Sequence, residues 1–408
     1  MNTRIFSHIS LIAGIGAPDR PLRGNQLAQL QSISNGYLIV EGGEISEVGR
    51  MEDLKYEGEQ VPESTIVLPA WCDSHTHLVF AESREAEFVQ KIRGASYAEI
   101  AAAGGGILNS AKKIAAYSED RLFELAWQRL MAIAKNGTGA VEIKSGYGLS
   151  VEGELKMLRV IKRLKEKSRL LIRATFLGAH AYPIEYRENH EGYISEIIDK
   201  MLPVIAAEGL ADYVDAFCET GFFSPEEMLR ICEAAGRYGL RPKLHVNQLN
   251  SIGGIEAGMQ AGAVSLDHLE TLTDKDIELL GHFDGLSTLL PGAAFFLRMA
   301  MPPARKLIHS NAAIALATDF NPGSCPSGNM QTMLSLACIQ MKMLPEEAIN
   351  AATINGAFAM EVADSSGSIS RGKKANLIFT KPVTSLAYLP YAFGDNHIDR
   401  VMIDGDFI

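Results

Sequence analysis

A chain of 408 residues, 47% hydrophobic and 21% charged, carries enough apolar surface for one large core and a smaller second one. Its formal net charge of -11, with no Lys/Arg block beyond short helical runs such as Lys162-Arg163-Leu164-Lys165, argues against nucleic acid or an anionic membrane as main partner. Five scattered cysteines without C-x-x-C spacing read as reduced thiols of a cytoplasmic protein, and neither a signal peptide nor a membrane span is predicted.

Residues 1–65 show short alternating segments and turn residues, with Gly42-Gly43 between two such segments supplying the positive φ of a tight hairpin. From Ile66 the texture changes to apolar strands separated by helical stretches, which argues for βα units around a parallel sheet. Strands are predicted at 66–73, 138–145, 170–180, 213–219, 241–247, 264–270, 285–291 and 312–319. Between them Leu155, Leu158, Ile161 and Leu164 recur at helical spacing, and Ser224 with Glu227 three residues on forms a capping box. Eight strands with intervening helices predict an α/β fold, a (β/α)8 barrel over 66–361. The first connection, about 78–137, is long and holds Gly104-Gly-Gly106; a flexible loop is the plain reading and a substrate-covering lid the alternative. Helices are predicted over 329–342 and 345–361. Beyond them the chain returns to short strands, so residues 1–65 and 362–408 are expected to pair as a small composite β-sandwich.

The chemistry-bearing residues fall at the carboxyl ends of the predicted strands, the catalytic rim of a barrel: His75 and His77 at the first, His180 at the third, His245 at the fifth, His268 at the sixth and Asp319 at the eighth. Two residues apart on a strand, His75 and His77 face one side and could grip a single cation. Taken singly, each has an ordinary reading: His180 could close a turn, and His268 could be a core histidine bonded to a carbonyl. Together they make a donor set of imidazoles and one carboxylate, which suits zinc or iron with a position left for water, and metal-assisted hydrolysis is the reaction class it implies.

The H-x-H motif, the histidines closing strands five and six and the aspartate closing strand eight resemble the amidohydrolase superfamily, as does a sandwich made of both chain ends. More narrowly, His75-Thr-His-Leu-Val-Phe80 with Arg84, Gly94-Ala-Ser-Tyr97, Gly104-Gly-Gly-Ile107, Glu142-Ile-Lys-Ser-Gly-Tyr147, Thr175-Phe-Leu-Gly-Ala-His180, Leu290-Pro-Gly292 and Ala317-Thr-Asp319-Phe-Asn321-Pro-Gly323 resemble the branch that opens an imidazolone ring in histidine degradation. The resemblance implies that His75, His77, His245 and Asp319 hold one zinc or iron ion per chain. It implies that Arg84, Tyr147, His180, Gln248, Asn321, Gly323 and Ser324 surround a small anionic substrate, 4-imidazolone-5-propanoate. His268 would stand near the reacting carbonyl and Asp319 would carry the proton as metal-activated hydroxide opens the ring to N-formimidoyl-L-glutamate. A homodimer is implied as well.

Two features separate this branch from its relatives. No lysine ends strand four at Cys218-Glu219 to become a bridging carbamate, and Gln248 stands where related deaminases place a proton-shuttling glutamate, although an amide transfers no proton at neutral pH. Ala70 after Pro69, and Asn376 before the last strands, depart from the superfamily's usual glycine and aspartate. The competing expectations are a purine or pyrimidine deaminase and a metal-binding barrel without catalysis.

Overall fold

The structure is a computed structural model that describes residues 3–94 and 105–408; Tyr97, Gly104 and most of the predicted lid centre lie outside the described residues. The chain begins with an antiparallel meander, β1 (Thr3–Ala13), β2 (Ser32–Glu41) and β3 (Glu44–Arg50). Gly42 and Gly43 close the predicted hairpin at φ 59° and 92°, a pair of left-handed residues that only glycine adopts without strain. Two short strands, β4 (Glu59–Gln60) and β5 (Ile66–Pro69), then run parallel to β1.

The barrel follows: β6 (Trp71–Thr76), β7 (Thr138–Lys144), β8 (Leu171–Ala179), β9 (Tyr213–Cys218), β10 (Arg241–Val246), β11 (Ser265–His268), β12 (Leu286–Leu289) and β13 (Ile314–Leu316). All are parallel and pair in chain order. The last strand meets the first through Asp319 N donating to His75 O at 3.0 Å and His77 N to Phe320 O at 2.9 Å. Below that seam the buried Asp73 carboxylate accepts Thr318 N at 2.9 Å and Thr318 Oγ1 at 2.6 Å. Helices cover the outside, started by side-chain caps at Ser118, Ser150 and Ser224, the last with the predicted capping box to Glu227.

After the barrel, β14 (Leu377–Thr380), β15 (Ile398–Ile403) and β16 (Asp406–Phe407) return to the first sheet, giving the order β16-β15-β14-β5-β1-β2-β3 with β4 beside β1. Phe6 of β1 lies 4.9 Å from Phe379 of β14 and 5.9 Å from Phe407 of β16, centroid to centroid. Flat neighbouring strands would hold β1 and β16 about 19 Å apart, so this sheet curls around its own core of Phe6, Ile9, Ile12, Leu38, Leu377 and Phe379.

Three expectations shift. The run 66–73, read as one strand, is two strands in different sheets: Leu68 pairs with Ile378, whereas Trp71 N already bonds Gly137 O. Pro69 offers no N–H to continue a ladder, and the chain changes sheet at Ala70. The strand predicted over 285–291 ends at Leu289, because Pro291 opens the helix Pro291–Leu297 at its first turn. The helix predicted over 345–361 is two, Pro345–Ala352 and Ile354–Ala359, broken at Thr353.

Candidate metal centre and active site

Alternation along the barrel strands decides which side chains meet. Asp73, His75 and His77, then Glu142 and Lys144, then Lys243 and His245, then Ser265 and Asp267, are spaced by two, so each set points the same way. That way is the barrel interior. His268 follows Asp267 directly and joins the site only because its backbone and that of Leu269 turn to φ 85° and 67°.

Four donor atoms converge at the rim. His75 Nε2 lies 3.1 Å from His245 Nε2, His245 Nε2 lies 3.4 Å from His77 Nε2, and Asp319 Oδ1 lies 3.6 Å from His75 Nε2 and 3.5 Å from His77 Nε2. Ligands at ~2.1 Å from a tetrahedral ion are separated by ~3.4 Å, so these spacings fit a single cation. The tautomers agree. His75 Nδ1 meets Asp267 Oδ2 at 2.6 Å and His245 Nδ1 meets Asp215 Oδ2 at 2.7 Å, which places the protons on Nδ1 and leaves both Nε2 lone pairs aimed at each other. Such an arrangement is repulsive unless a shared cation lies between them. Burial first, then nearby positive charge and neighbouring imidazoles, holds His75, His77 and His245 well below the ordinary histidine pKa, so all three are neutral donors.

Charge balance points the same way. Glu142, Asp215, Asp267 and Asp319 are linked in one buried network with only Lys144 and Lys243 as cations, an excess of two negative charges that a divalent ion offsets. Above this network, the donor atoms of His75, His77 and His245 lie close enough together to hold a metal ion, as do those of His75, His268 and Asp319.

A cavity of about 580 Å3 opens from the donors toward solvent, lined by Arg84, Tyr147, His180, Gln248, His268, Asn321, Gly323 and Ser324 among others. The structure thus brings the candidate residues His75, His77, Arg84, Tyr147, His180, His245, Gln248, His268, Asp319, Asn321, Gly323 and Ser324 to one place. His180 Nδ1 donates to Gly146 O at 2.8 Å, and burial pulls its pKa to about 4, so its Nε2 is a neutral acceptor. His268 differs: burial lowers its pKa, but the carboxylates of Glu270, at 3.3 Å, Asp319 and Asp267 together outweigh that and the imidazole titrates above its ordinary value. Arg84 bonds Ser110 Oγ through Nε and Nη2 at 3.0 and 2.8 Å and stands 5.5 Å from the Tyr147 ring centroid.

Asn321 closes the loop that aims Asp319. Its amide donates to Asp319 O and Ser324 Oγ, both at 2.6 Å, and its carbonyl accepts Gly323 N and Ser324 N. Ser324 Oγ then donates to Asp319 Oδ2 at 3.0 Å. Burial raises the Asp319 carboxyl to about 6.

The sequence reading missed the groups beneath: Lys144, Asp215, Asp267, Glu270 and Glu154. For Lys144, Asp215 and Asp267 the signal was a charge inside a run otherwise read as apolar, which a buried strand tolerates only when the charges are paired; Glu154, on a helix, and Glu270, past its strand, gave none. Glu154 accepts Gly146 N, Gly148 N and Leu149 N at 3.0, 2.7 and 3.0 Å, and so holds the loop that carries Tyr147.

The barrel with its H-x-H, two further strand-end histidines and terminal aspartate defines a class, and the amidohydrolase family model matches residues 66–408. The chain is 55% identical to the imidazolonepropionase of Flavobacterium johnsoniae and 51% identical to that of Christiangramia forsetii, each over 94% of both chains. It is 41% identical to the imidazolonepropionase of a Geobacillus species over 97% of this chain and 95% of that one. Among solved structures, E. coli guanine deaminase superposes with a TM-score of 0.71 at 14% identity, covering 100% of this chain and 99% of that one. An adenosine deaminase from Xanthomonas campestris with bound zinc does so with a TM-score of 0.65 at 16% identity, covering 99% and 92%. At those identities the deaminases share the fold alone. The chain belongs to the amidohydrolase family and, within it, to the imidazolonepropionases.

Proposed function

We propose that this site hydrolyses the ring amide of 4-imidazolone-5-propanoate to N-formimidoyl-L-glutamate, with one zinc or iron ion per chain held by His75, His77, His245 and Asp319. The observation that carries this reading is the convergence of four metal donors at the floor of a cavity that also contains Arg84, in a chain with relatives of that name. A cation in that donor set lowers the pKa of bound water towards ~7 and polarises a carbonyl oxygen.

The protein's own groups do the rest. Arg84 binds the propanoate carboxylate through its guanidinium fork, with Tyr147 beside it. Neutral His180 accepts a hydrogen bond from a ring N–H through Nε2. Protonated His268, supported by Glu270, donates to the oxygen on which negative charge develops. Asp319 takes the proton released from water and returns it to the ring nitrogen as the carbon–nitrogen bond breaks, while Ser324 fixes its second oxygen. Gln248 orients substrate by hydrogen bonding and carries no proton.

The same reading makes the partner a small anionic molecule rather than nucleic acid or membrane, and makes the enzyme a cytoplasmic homodimer. Consistent with it, the five cysteines are unpaired and no helix among the described residues is long and apolar enough to cross a membrane. The test is an assay on freshly generated 4-imidazolone-5-propanoate, following loss of its ultraviolet absorbance with metal content measured on the same sample. Turnover at about one metal per chain, abolished by chelation, is the expected result; no turnover by fully metallated protein would remove the substrate assignment.

A further inference from the structure

Beneath the metal donors the two carboxylates that orient His75 and His245 share one cation. Lys144, at the end of β7 and fully buried, donates from Nζ to Asp215 Oδ2 at 2.8 Å and lies 3.7 Å from Asp267 Oδ2. Those are the same oxygens that receive His245 Nδ1 and His75 Nδ1. Glu142 Oε1, 2.7 Å from Nζ, anchors the ammonium from its own strand and is itself held by Thr175 Oγ1 at 2.6 Å. The ammonium thus hydrogen-bonds Asp215 and stands within ion-pair distance of Glu142 and Asp267, three carboxylates on β7, β9 and β11.

We propose that Lys144 is a positioning residue of the metal centre, tying the Asp215–His245 and Asp267–His75 relays to one charge so that both imidazoles keep their aim at the metal. Without the ammonium, Asp215 and Asp267 would be like charges facing each other across a dry barrel interior. Repulsion there scales inversely with the local dielectric, far above its value in water. Asp215 retains the His245 backbone N–H at 3.1 Å and Asp267 retains Ser265 Oγ at 2.6 Å, but neither contact opposes the other carboxylate. The carboxylates would rotate apart and take the Nδ1 anchors of two metal ligands with them. A lysine suits the place because its long stem crosses the barrel from β7 and its compact charge meets three partners from different directions.

The inference rests on the metal assignment of the previous section, so the native protein is tested first. Metal-free native protein is titrated with Zn2+ against a competing chelator; if it binds no zinc, that assignment falls. If it binds, Lys144→Met and the charge-balanced pair Lys144→Met/Glu142→Gln are measured in the same way, with folding checked by circular dichroism. Losing a group that orients ligands from outside typically costs 10–100-fold in metal affinity. Zinc binding at least about tenfold weaker in a folded variant, with an altered visible spectrum of its Co2+ form, is the expected result. Native zinc affinity and an unchanged Co2+ spectrum in either folded variant would overturn the inference. Failure of both variants to fold would overturn it too, by making Lys144 a residue of barrel stability.

Discussion

His180 and His268 are both buried at the rim of one barrel, yet their environments push their proton affinities in opposite directions. A carbonyl faces His180, whereas a carboxylate faces His268. Below its raised pKa His268 is a cation able to donate, and above it the positive charge is lost, so kcat/KM should fall on the alkaline side as His268 deprotonates. Replacing Glu270 by Gln removes the foremost of the charges that raise this pKa. A pH–rate profile of that variant should show the alkaline fall at lower pH than in the native enzyme, and an unmoved limb would reject His268 as the donor. Gly323 gives a second residue-scale prediction. A Cβ there would meet Arg84 Nη1 at 2.4 Å, the far end of a flexible side chain, so Gly323→Ala should displace the guanidinium without unfolding the loop. A charge-assisted hydrogen bond contributes about 1.5–3 kcal/mol, hence KM should rise roughly 10–100-fold with thermal stability nearly unchanged, as for Arg84→Met. A native KM in Gly323→Ala would show that Arg84 does not hold the substrate carboxylate.

At the scale of elements, a loop placed by a buried carboxylate carries groups proposed to bind substrate. Glu154 on the helix Val151–Lys167 receives three backbone N–H groups of the loop bearing Tyr147, and the Gly146 of that loop supplies the carbonyl that fixes His180. Glu154→Ala would orphan three donors at once and should cost about 2–4 kcal/mol in chemical denaturation while raising KM. A loss of stability with KM intact would restrict Glu154 to a structural role. Elements of this kind were half legible in the sequence. The eight barrel strands could be counted because each is a short apolar run bounded by turn residues, and the capping box of Ser224 and Glu227 is local chemistry. The strand-end histidines and Asp319 stood out as polar residues closing apolar runs. Lys144, Asp215 and Asp267 did not, since their partners lie on other strands and only closure of the barrel brings them together. The change of sheet at Ala70 was hidden for a related reason: Ile66–Cys72 reads as one apolar run, and which sheet each part joins is decided by strands elsewhere in the chain, β14 for β5 and β7 for β6.

For the whole molecule, that change of sheet couples the two sheets mechanically, with β5 lodged between β1 and β14 and β6, one residue further on, carrying His75 and leading directly to His77, both proposed metal ligands. Metal removal should therefore lower the melting temperature of the entire chain. Free metal at a hundred times its Kd adds about 2.7 kcal/mol to folding, and calorimetry should show one endotherm moving as a unit on chelation; two transitions, of which only one moves, would contradict the coupling. The same handover has a consequence for synthesis. β5 leaves the ribosome some 300 residues before its neighbour β14, an interval of about 15–60 s at typical elongation rates of ~5–20 residues/s. Throughout that time β5 presents an unpaired edge, and its covalent neighbour β6 lacks the last barrel strand. The nascent chain is thus committed to finishing both of its sheets almost at once, near the end of translation, and acquires its metal as one of the last events of its making.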